Sequence, residues 1–249
     1  MTPFTHRWGG GGPLMIHCAL AHGGVLAPLA EELGGATALD LPGHGKSPPW
    51  DDTRDYHAQA VEWATALMEA PGPVLGHSFG GTVALRLAVE RPDLVTRLTL
   101  VEPVYFAALR IHDAPSYRAY EASFSDIAAA YEAGDFHKMA ELFTAMWGGA
   151  PWGRLPDRFK DAVAAQMPLI IAQGQGIDAD SGNVFTPGRL EALECAVTLI
   201  RGSETRASVA AIHSVLLGLL PNASEHVIEG AGHMAPMTHP KEVARLSQL

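Results

Sequence analysis

The chain has 249 residues, of which 47% are hydrophobic and 18% are charged, proportions that suit a folded domain with a sizeable core. Its 17 basic and 27 acidic residues give a net charge of −10, which argues against nucleic acid or a membrane surface as a partner. With only two cysteines, Cys18 and Cys195, a disulfide framework and a CxxC zinc site are excluded. The first residues lack the apolar core of a signal peptide, and no apolar run is long enough to span a bilayer. We therefore expect a cytoplasmic protein that acts on a small molecule.

Short apolar runs alternate with helical patterns over roughly the first hundred residues, which is typical of βαβ units in a mostly parallel sheet. The expected strands are Thr2–Trp8, Pro13–His17, Ala36–Leu39, Pro73–Leu75 and Arg97–Val101. The expected helices are Tyr56–Met68 and Thr82–Glu90.

This alternation stops near Tyr105, and the chain as far as Glu194 is rich in alanine, methionine and aromatic residues at helical spacing. Proline and glycine interrupt the stretch at Gly148–Pro156 and Gly174–Pro187. Beyond it the pattern indicates two strands with a helix between them, at Ala196–Arg201, His226–Glu229 and Ala207–Leu220. We therefore predict an α/β fold with a mostly parallel, doubly wound sheet. Residues 1–104 and 191–249 would form this core, and residues 105–190 an inserted helical cap.

The strongest local signal is Gly76-His77-Ser78-Phe79-Gly80, which matches G-x-S-x-G between an apolar strand and a helix. A serine on such a sharp turn has a strained backbone, and side chains two positions before and after it would collide, so glycine is needed at both places. The turn exposes the Ser78 hydroxyl at the end of the strand. The positive end of the following helix would stabilise an oxyanion there. Ser78 is therefore predicted to be a nucleophile rather than only a helix cap.

A second motif, DLPGHGKS, runs from Asp40 to Ser47. Its glycines suit a tight loop after a strand. The phosphate-loop pattern G-x-x-x-x-G-K-[ST] is not met, so we predict a structural role for this motif. The sequence also contains no HExxH motif and no Cys/His cluster, and we expect neither a metal nor another cofactor.

Taken in order, PLMIHC, DLPGHGKS, GHSFGG and GAGHM resemble the α/β-hydrolase superfamily in its small, capped, single-domain form. The resemblance covers nearly the whole chain outside the predicted cap. It implies the chain order nucleophile, acid, histidine, and an acyl-enzyme mechanism in which Ser78 attacks a carbonyl. Haloalkane dehalogenases and epoxide hydrolases share the fold but use an aspartate nucleophile, and the serine at position 78 argues against both.

The general base implied by this order is a late histidine, and His233 is the favoured candidate. It follows the predicted strand His226–Glu229 within GAGHM, whose small residues allow the imidazole to reach Ser78. The nearest rival, His239, falls inside or at the start of the final predicted helix.

The resemblance also implies two backbone N–H donors that form an oxyanion hole. One is Phe79, directly after the nucleophile. The other lies after the strand that ends at His17, where many relatives carry His-Gly. Cys18 replaces that glycine here, and Ala19 is the expected donor. We interpret Cys18 itself as a small buried residue rather than a reactive thiol.

The third member of the triad departs from the usual pattern. In most relatives the acid follows the strand here predicted at Ala196–Arg201, three residues after a glycine. Counting from Gly202, that place is Thr205, and the acid of this loop is Glu204, one position earlier. The other known location follows the preceding strand, where Glu102 stands. We favour Glu102 and keep Glu204 as the alternative, since either carboxylate would orient the histidine.

These residues predict a cofactor-independent hydrolase of a small, apolar carboxylic ester or related acyl compound. Two alternatives remain open: a carbon–carbon bond hydrolase or lyase on the same scaffold, and a non-catalytic ligand receptor, because one fold hosts many functions. The predicted cap carries apolar side chains suited to line a substrate cleft, although packing explains each of them alone. They are Tyr105, Phe106, Leu109, Phe143, Met146, Trp147 and Trp152.

Overall fold

The computed structural model of the chain describes residues 2–148, 150–247 and 249. Met1, Gly149 and Gln248 belong to the predicted core and cap ranges and lie outside the described residues. The strands are β1 (Thr5–Trp8), β2 (Leu14–Ile16), β3 (Ala36–Leu39), β4 (Gly72–His77), β5 (Val95–Val101), β6 (Ala196–Gly202) and β7 (Ala223–Ile228). The helices are α1 (Ala27–Glu32), α2 (Tyr56–Ala66), α3 (Phe79–Glu90), α4 (Ala107–His112), α5 (Ala114–Glu132), α6 (Phe136–Met146), α7 (Asp157–Ile177), α8 (Ala207–Leu219), α9 (Ala235–Thr238) and α10 (Pro240–Ser247). None of these described helices has the length and apolarity needed to cross a membrane.

The seven strands form one sheet in the order β1-β3-β2-β4-β5-β6-β7. Strand β1 runs antiparallel to β3, and the other neighbouring pairs of described strands are parallel. Strand β2 reads Leu-Met-Ile and is buried at every residue, as expected for a parallel sheet covered by helices on both faces. The predicted fold class, a mostly parallel and doubly wound α/β sheet, is confirmed.

Alternate residues of the strands supply two apolar cores, one on each face of the sheet. Ile16 and Leu98 belong to the face covered by α2, α3, α4 and α8. Met15 and Leu75 belong to the opposite face, which is covered by α1, α9 and α10. Burial of apolar area, at about 25 cal/mol per Å², stabilises both layers against the sheet. The parallel strands end at one common edge, so the loops that follow β2, β4, β5 and β6 meet there.

Helices α4 to α7 lie between β5 and β6. Asp113 and Asp135 cap α5 and α6, because each carboxylate accepts a backbone N–H of the first turn. Helices α5, α6 and α7 share a separate apolar cluster that includes Ile127 and Met167. This helical stretch falls in the segment predicted as a cap, and the division of the chain at residues 105–190 stays a prediction.

Several element bounds differ from the sequence expectations. Helix α1 has no counterpart among the predicted elements, and β7 begins at Ala223 rather than His226. Helix α7 continues through Gly174, where a break was predicted. The reason lies in its packing against α2: a Cβ atom at Gly176 would lie 2.4 Å from the Cβ of His57. Glycine here permits close approach of two helices and does not end one.

Candidate active site

The turn between β4 and α3 has the strain expected of a nucleophile elbow. Ser78 has φ 55° and ψ −118°, in a region that residues other than glycine rarely adopt. A Cβ atom at Gly76 would lie 2.2 Å from the carbonyl oxygen of Gly80, and a Cβ at Gly80 would lie 2.2 Å from that of Ile16. A side chain at either position would collide with backbone atoms, so both positions must be glycine. The turn they permit places the Ser78 side chain at the edge of the sheet.

Three of the predicted residues meet at this edge. His233, in the loop after β7, places its Nε2 atom 2.9 Å from Ser78 Oγ and its Nδ1 atom 3.1 Å from Glu102 Oε2. An ionised carboxylate only accepts hydrogen bonds, so Nδ1 carries the proton and Nε2 accepts from the serine hydroxyl. His239 lies between α9 and α10 and contacts Thr238 instead. The geometry is that of a serine, its general base and an orienting acid.

Glu102 directly follows β5 and is fully buried. Its Oε1 atom accepts the backbone N–H of Gly202 at 2.7 Å, and its Oε2 atom accepts the hydroxyl of Thr205 at 2.5 Å. Burial on its own would raise the pKa of Glu102. The hydrogen bond from His233 and the charge that its imidazolium form carries, together with the bonds from Thr205 and Gly202, outweigh burial and hold that pKa below its ordinary value. The carboxylate is therefore ionised at neutral pH and able to stabilise an imidazolium.

The alternative acid, Glu204, is exposed, and its backbone N–H donates to the carbonyl of Ala231. Among the described residues, no hydrogen bond joins its carboxylate to His233. The structure thus places Glu102, and not Glu204, against His233. Thr205 stands where most relatives have the acid, and here it holds the carboxylate of Glu102, which follows the neighbouring strand β5. Sequence reasoning missed this role of Thr205, although counting from Gly202 had singled the position out.

The two predicted oxyanion-hole residues, Phe79 and Ala19, line the same cavity as Ser78. Within the described part of the chain, neither backbone N–H donates to an acceptor. Phe79 is the first residue of α3, so its N–H has no partner inside the helix. Both N–H groups are therefore unpaired among the described residues, and their role as oxyanion donors stays a prediction.

The DLPGHGKS loop braces the turn that carries Ala19. The backbone N–H of Leu20, which has φ 60°, donates to His44 Nε2 at 3.1 Å. His44 Nδ1 in turn donates to the carbonyl of Pro42 at 2.9 Å, which fixes the tautomer. Burial lowers the pKa of His44, so Nε2 stays unprotonated and able to accept. This function of the motif depends on a contact between two loops that the sequence does not reveal.

Cys18 is buried beside this turn. Burial raises the pKa of its thiol to about 12, which keeps the sulfur uncharged and unreactive at neutral pH. Its carbonyl accepts a hydrogen bond from His17 Nδ1 at 2.6 Å, while His17 Nε2 accepts the N–H of Leu41 at 3.0 Å. Burial lowers the pKa of His17 to about 3, so this imidazole is a neutral structural link between the loops after β2 and β3.

Two cavities of about 220 Å³ meet at Ser78. The first, which we call the α7 cavity, includes Phe79, Val104 and Phe106 and residues of α5, α6 and α7. The second, which we call the His233 cavity, includes His233, Met234 and apolar residues of the 150–163 segment. Phe143 and Trp147 line both.

Three of the seven apolar side chains proposed for a cleft, Phe106, Phe143 and Trp147, do line the α7 cavity. Tyr105 and Leu109 are instead buried in the main core. The other two, Met146 and Trp152, are partly buried against the cluster shared by α5, α6 and α7, and Met146 also borders a polar cleft beside His233.

One further group of side chains has the composition of a metal site. Donor atoms of His6, His22 and Asp40 lie within 4.8 Å of one another. The carboxylate of Asp40, however, already accepts the backbone N–H groups of Gly23 at 2.7 Å and Lys46 at 2.8 Å. None of the three potential ligands lines the cavities at Ser78. These contacts explain Asp40 as the residue that shapes its loop.

Comparison with known proteins extends the similarity over the whole domain. A model of the alpha/beta hydrolase family matches residues 14–246. Lipase LipV of Mycobacterium tuberculosis is 31% identical, over 96% of this chain and 94% of its own length. Pimeloyl-[acyl-carrier protein] methyl ester esterase of Chromobacterium violaceum is 30% identical, over 95% of this chain and 93% of its own.

Solved structures show the same fold. An alpha/beta hydrolase from Sphaerobacter thermophilus DSM 20745 has a TM-score of 0.71 at 21% identity, covering 98% of this chain and 95% of that chain. The 2-hydroxy-6-oxo-6-phenylhexa-2,4-dienoate hydrolase from Rhodococcus sp. strain RHA1 also has a TM-score of 0.71, at 19% identity, covering 98% of this chain and 93% of that chain. The structures support the fold, and the sequence relatives support hydrolase activity.

Proposed function

Because the chain belongs to the alpha/beta hydrolase family, we propose that it is a cofactor-independent serine hydrolase of a small, apolar carboxylic ester. The observation that carries this proposal is the unbroken series of hydrogen bonds from Ser78 through His233 to Glu102, at 2.9 and 3.1 Å. Relatives named as a lipase and a methyl ester esterase support an ester as the substrate class.

The proposed reaction uses the geometry as follows. Ser78 Oγ attacks the ester carbonyl while its proton passes to His233 Nε2, and the oxyanion accepts hydrogen bonds from the N–H groups of Phe79 and Ala19. The carbon–oxygen bond to the alcohol then breaks, and Nε2 returns the proton to the departing oxygen. Water, deprotonated by His233, next attacks the acyl-enzyme, releases the acid and restores Ser78. Glu102 stabilises the imidazolium in both halves without taking its proton.

The two cavities support an arrangement for the two halves of the ester. His233 must deliver its proton to the alcohol oxygen, so the alcohol lies in the His233 cavity and the acyl group in the α7 cavity. At about 220 Å³ the α7 cavity is smaller than the 300–1,000 Å³ of ordinary ligand sites, which favours a short acyl group. Its walls are largely aromatic and aliphatic, which favours an acyl group built mainly of an aliphatic chain.

Reaction with a fluorophosphonate probe tests the proposal directly. We expect one adduct on the Ser78 peptide by mass spectrometry, because a serine activated by His233 attacks the probe as it attacks an ester. Turnover of p-nitrophenyl esters of increasing acyl length should peak at short chains. Cleavage of a vinylogous diketone without cleavage of any ester would instead establish the carbon–carbon hydrolase. Absence of both labelling and turnover would point to a receptor.

Chelation is expected to leave ester hydrolysis unchanged, since the hydroxyl of Ser78 is activated by His233 and not by a metal-bound water. Turnover would be measured before and after prolonged dialysis against EDTA. A loss of activity that zinc or manganese restores would contradict this expectation. It would also direct attention to His6, His22 and Asp40 as ligands.

A further inference from the structure

The α7 cavity is lined mostly by apolar side chains, with a few polar groups among them. Ser78 and Phe79 line it together with Ile170, Gly174 and Ile177 of helix α7. At the rise of an α-helix, the distance from Ile170 to the residue after α7 is about 12 Å. That residue is Asp178, and it too lines the cavity.

Asp178 is a carboxyl group held in an apolar site. Burial, followed by the negative charge of Glu121, raises its pKa to about 6, against the opposing effects of the Tyr120 hydroxyl and the charge of Arg110. The Arg110 side chain donates to the main-chain oxygens of Asp178 at 2.8 Å and Ala179 at 3.4 Å, and not to the carboxylate. The carboxylate therefore retains accepting capacity toward the cavity.

Gln173 is a second polar group in the same wall. It is 2% exposed, and within the described part of the chain its Nε2 atom has no hydrogen-bond partner. That atom has almost no accessible surface of its own, and the amide lies beside the Tyr56 hydroxyl, where it opposes the rise that burial causes in the pKa of Tyr56. Asp178 therefore remains as the acceptor group that this wall offers to a ligand, among mostly apolar side chains.

We propose that Asp178 determines specificity, and that the α7 cavity binds a short aliphatic acyl chain whose far end carries a hydroxyl group. The hydroxyl donates to the Asp178 carboxylate, beside the bond from the Tyr120 hydroxyl. A chain that ends in a methyl group offers this carboxylate no further donor, and one that ends in a carboxylate meets the like charge of Asp178 and Glu121. The inference rests on the proposed function, because the other end of the chain must reach Ser78.

The test compares three p-nitrophenyl esters that share a leaving group and differ only at the end of the acyl chain: hexanoate, 6-hydroxyhexanoate and the monoester of hexanedioic acid. For the native enzyme we expect kcat/KM to be at least tenfold higher for the hydroxyl-ended ester than for the methyl-ended one, and lowest for the carboxylate-ended ester. The three corresponding eight-carbon esters would be measured in parallel, because the chain length that brings the acyl end to Asp178 depends on the depth of the cavity.

Two substitutions of Asp178 then separate the effect of its hydrogen bond from the effect of its negative charge. Asp178→Leu should remove the preference for the hydroxyl and raise turnover of hexanoate, while Asp178→Asn should raise turnover of the carboxylate-ended ester at least tenfold at pH 8. Asp161→Asn, at an exposed aspartate of the same helix, is the matched control and should change no ratio. Thermal unfolding of each variant checks that it is folded. If Asp178→Leu is unstable, the kinetics of Asp178→Asn test the inference.

The outcomes distinguish the inference from the proposed function. If the native enzyme hydrolyses none of the esters, the proposed function fails. If it hydrolyses them with equal kcat/KM for hydroxyl and methyl ends at both lengths, or if the Asp178 variants keep the native ratios, the proposed function stands and the role of Asp178 is wrong.

Discussion

Replacing Ser78 with alanine is expected to lower turnover of any ester substrate by more than a thousandfold, because it removes the atom that forms the acyl-enzyme. The oxyanion donors and both cavities remain, so substrate binding should change little. Ser78 lies at the cavities rather than in the apolar core, and alanine meets the strained φ of 55° at a cost similar to that of serine. The variant should therefore unfold at nearly the native temperature.

Kinetics with a p-nitrophenyl ester and thermal unfolding measure both expectations. Ser214→Ala is the matched control, since this serine is exposed on α8 and its hydroxyl donates only to the carbonyl of Ala210 at 3.2 Å. It should keep native turnover. If purified Ser78→Ala retains more than about a tenth of the native rate, Ser78 is not the nucleophile.

Replacing Glu102 with glutamine should cost at least a hundredfold in turnover. Gly202 donates to one carboxylate oxygen, so the amide oxygen of glutamine is expected to take that place. The amide NH₂ then faces His233 Nδ1, which must accept a hydrogen bond and give up its proton. Nε2 would become protonated toward Ser78 and could no longer act as a base.

Glu204→Gln is the matched control for this change, because Glu204 is an exposed carboxylate in the loop after β6, between the two residues that hold Glu102. We expect less than a fivefold loss, since no hydrogen bond joins Glu204 to His233 among the described residues. The two variants would be compared by kcat over a range of pH. A large loss with Glu204→Gln and a small one with Glu102→Gln would transfer the role of the acid to Glu204.

The parts of the molecule that the sequence predicted are those set by local constraints. The α/β class follows from the alternation of apolar runs with helical patterns, and the family comparison confirms it. The turn at Ser78 follows from the G-x-S-x-G pattern: a side chain at Gly76 would collide with Gly80 four residues later, although at Gly80 the collision is with Ile16 of the neighbouring strand. The loop GAGHM leads to His233 for a similar reason: small residues after a strand leave the histidine free to turn inward.

The parts that only the tertiary structure decided depend on which distant segments become neighbours. The sequence favours Glu102 but leaves Glu204 open as the alternative acid. The choice rests on β5 and β6 ending side by side, where Gly202 and Thr205 hold the carboxylate of Glu102. Likewise, Asp178 carries no signal in the sequence. It becomes a cavity residue because α7 runs unbroken to Ile177, an arrangement set by its packing against α2, which lies about a hundred residues earlier in the chain.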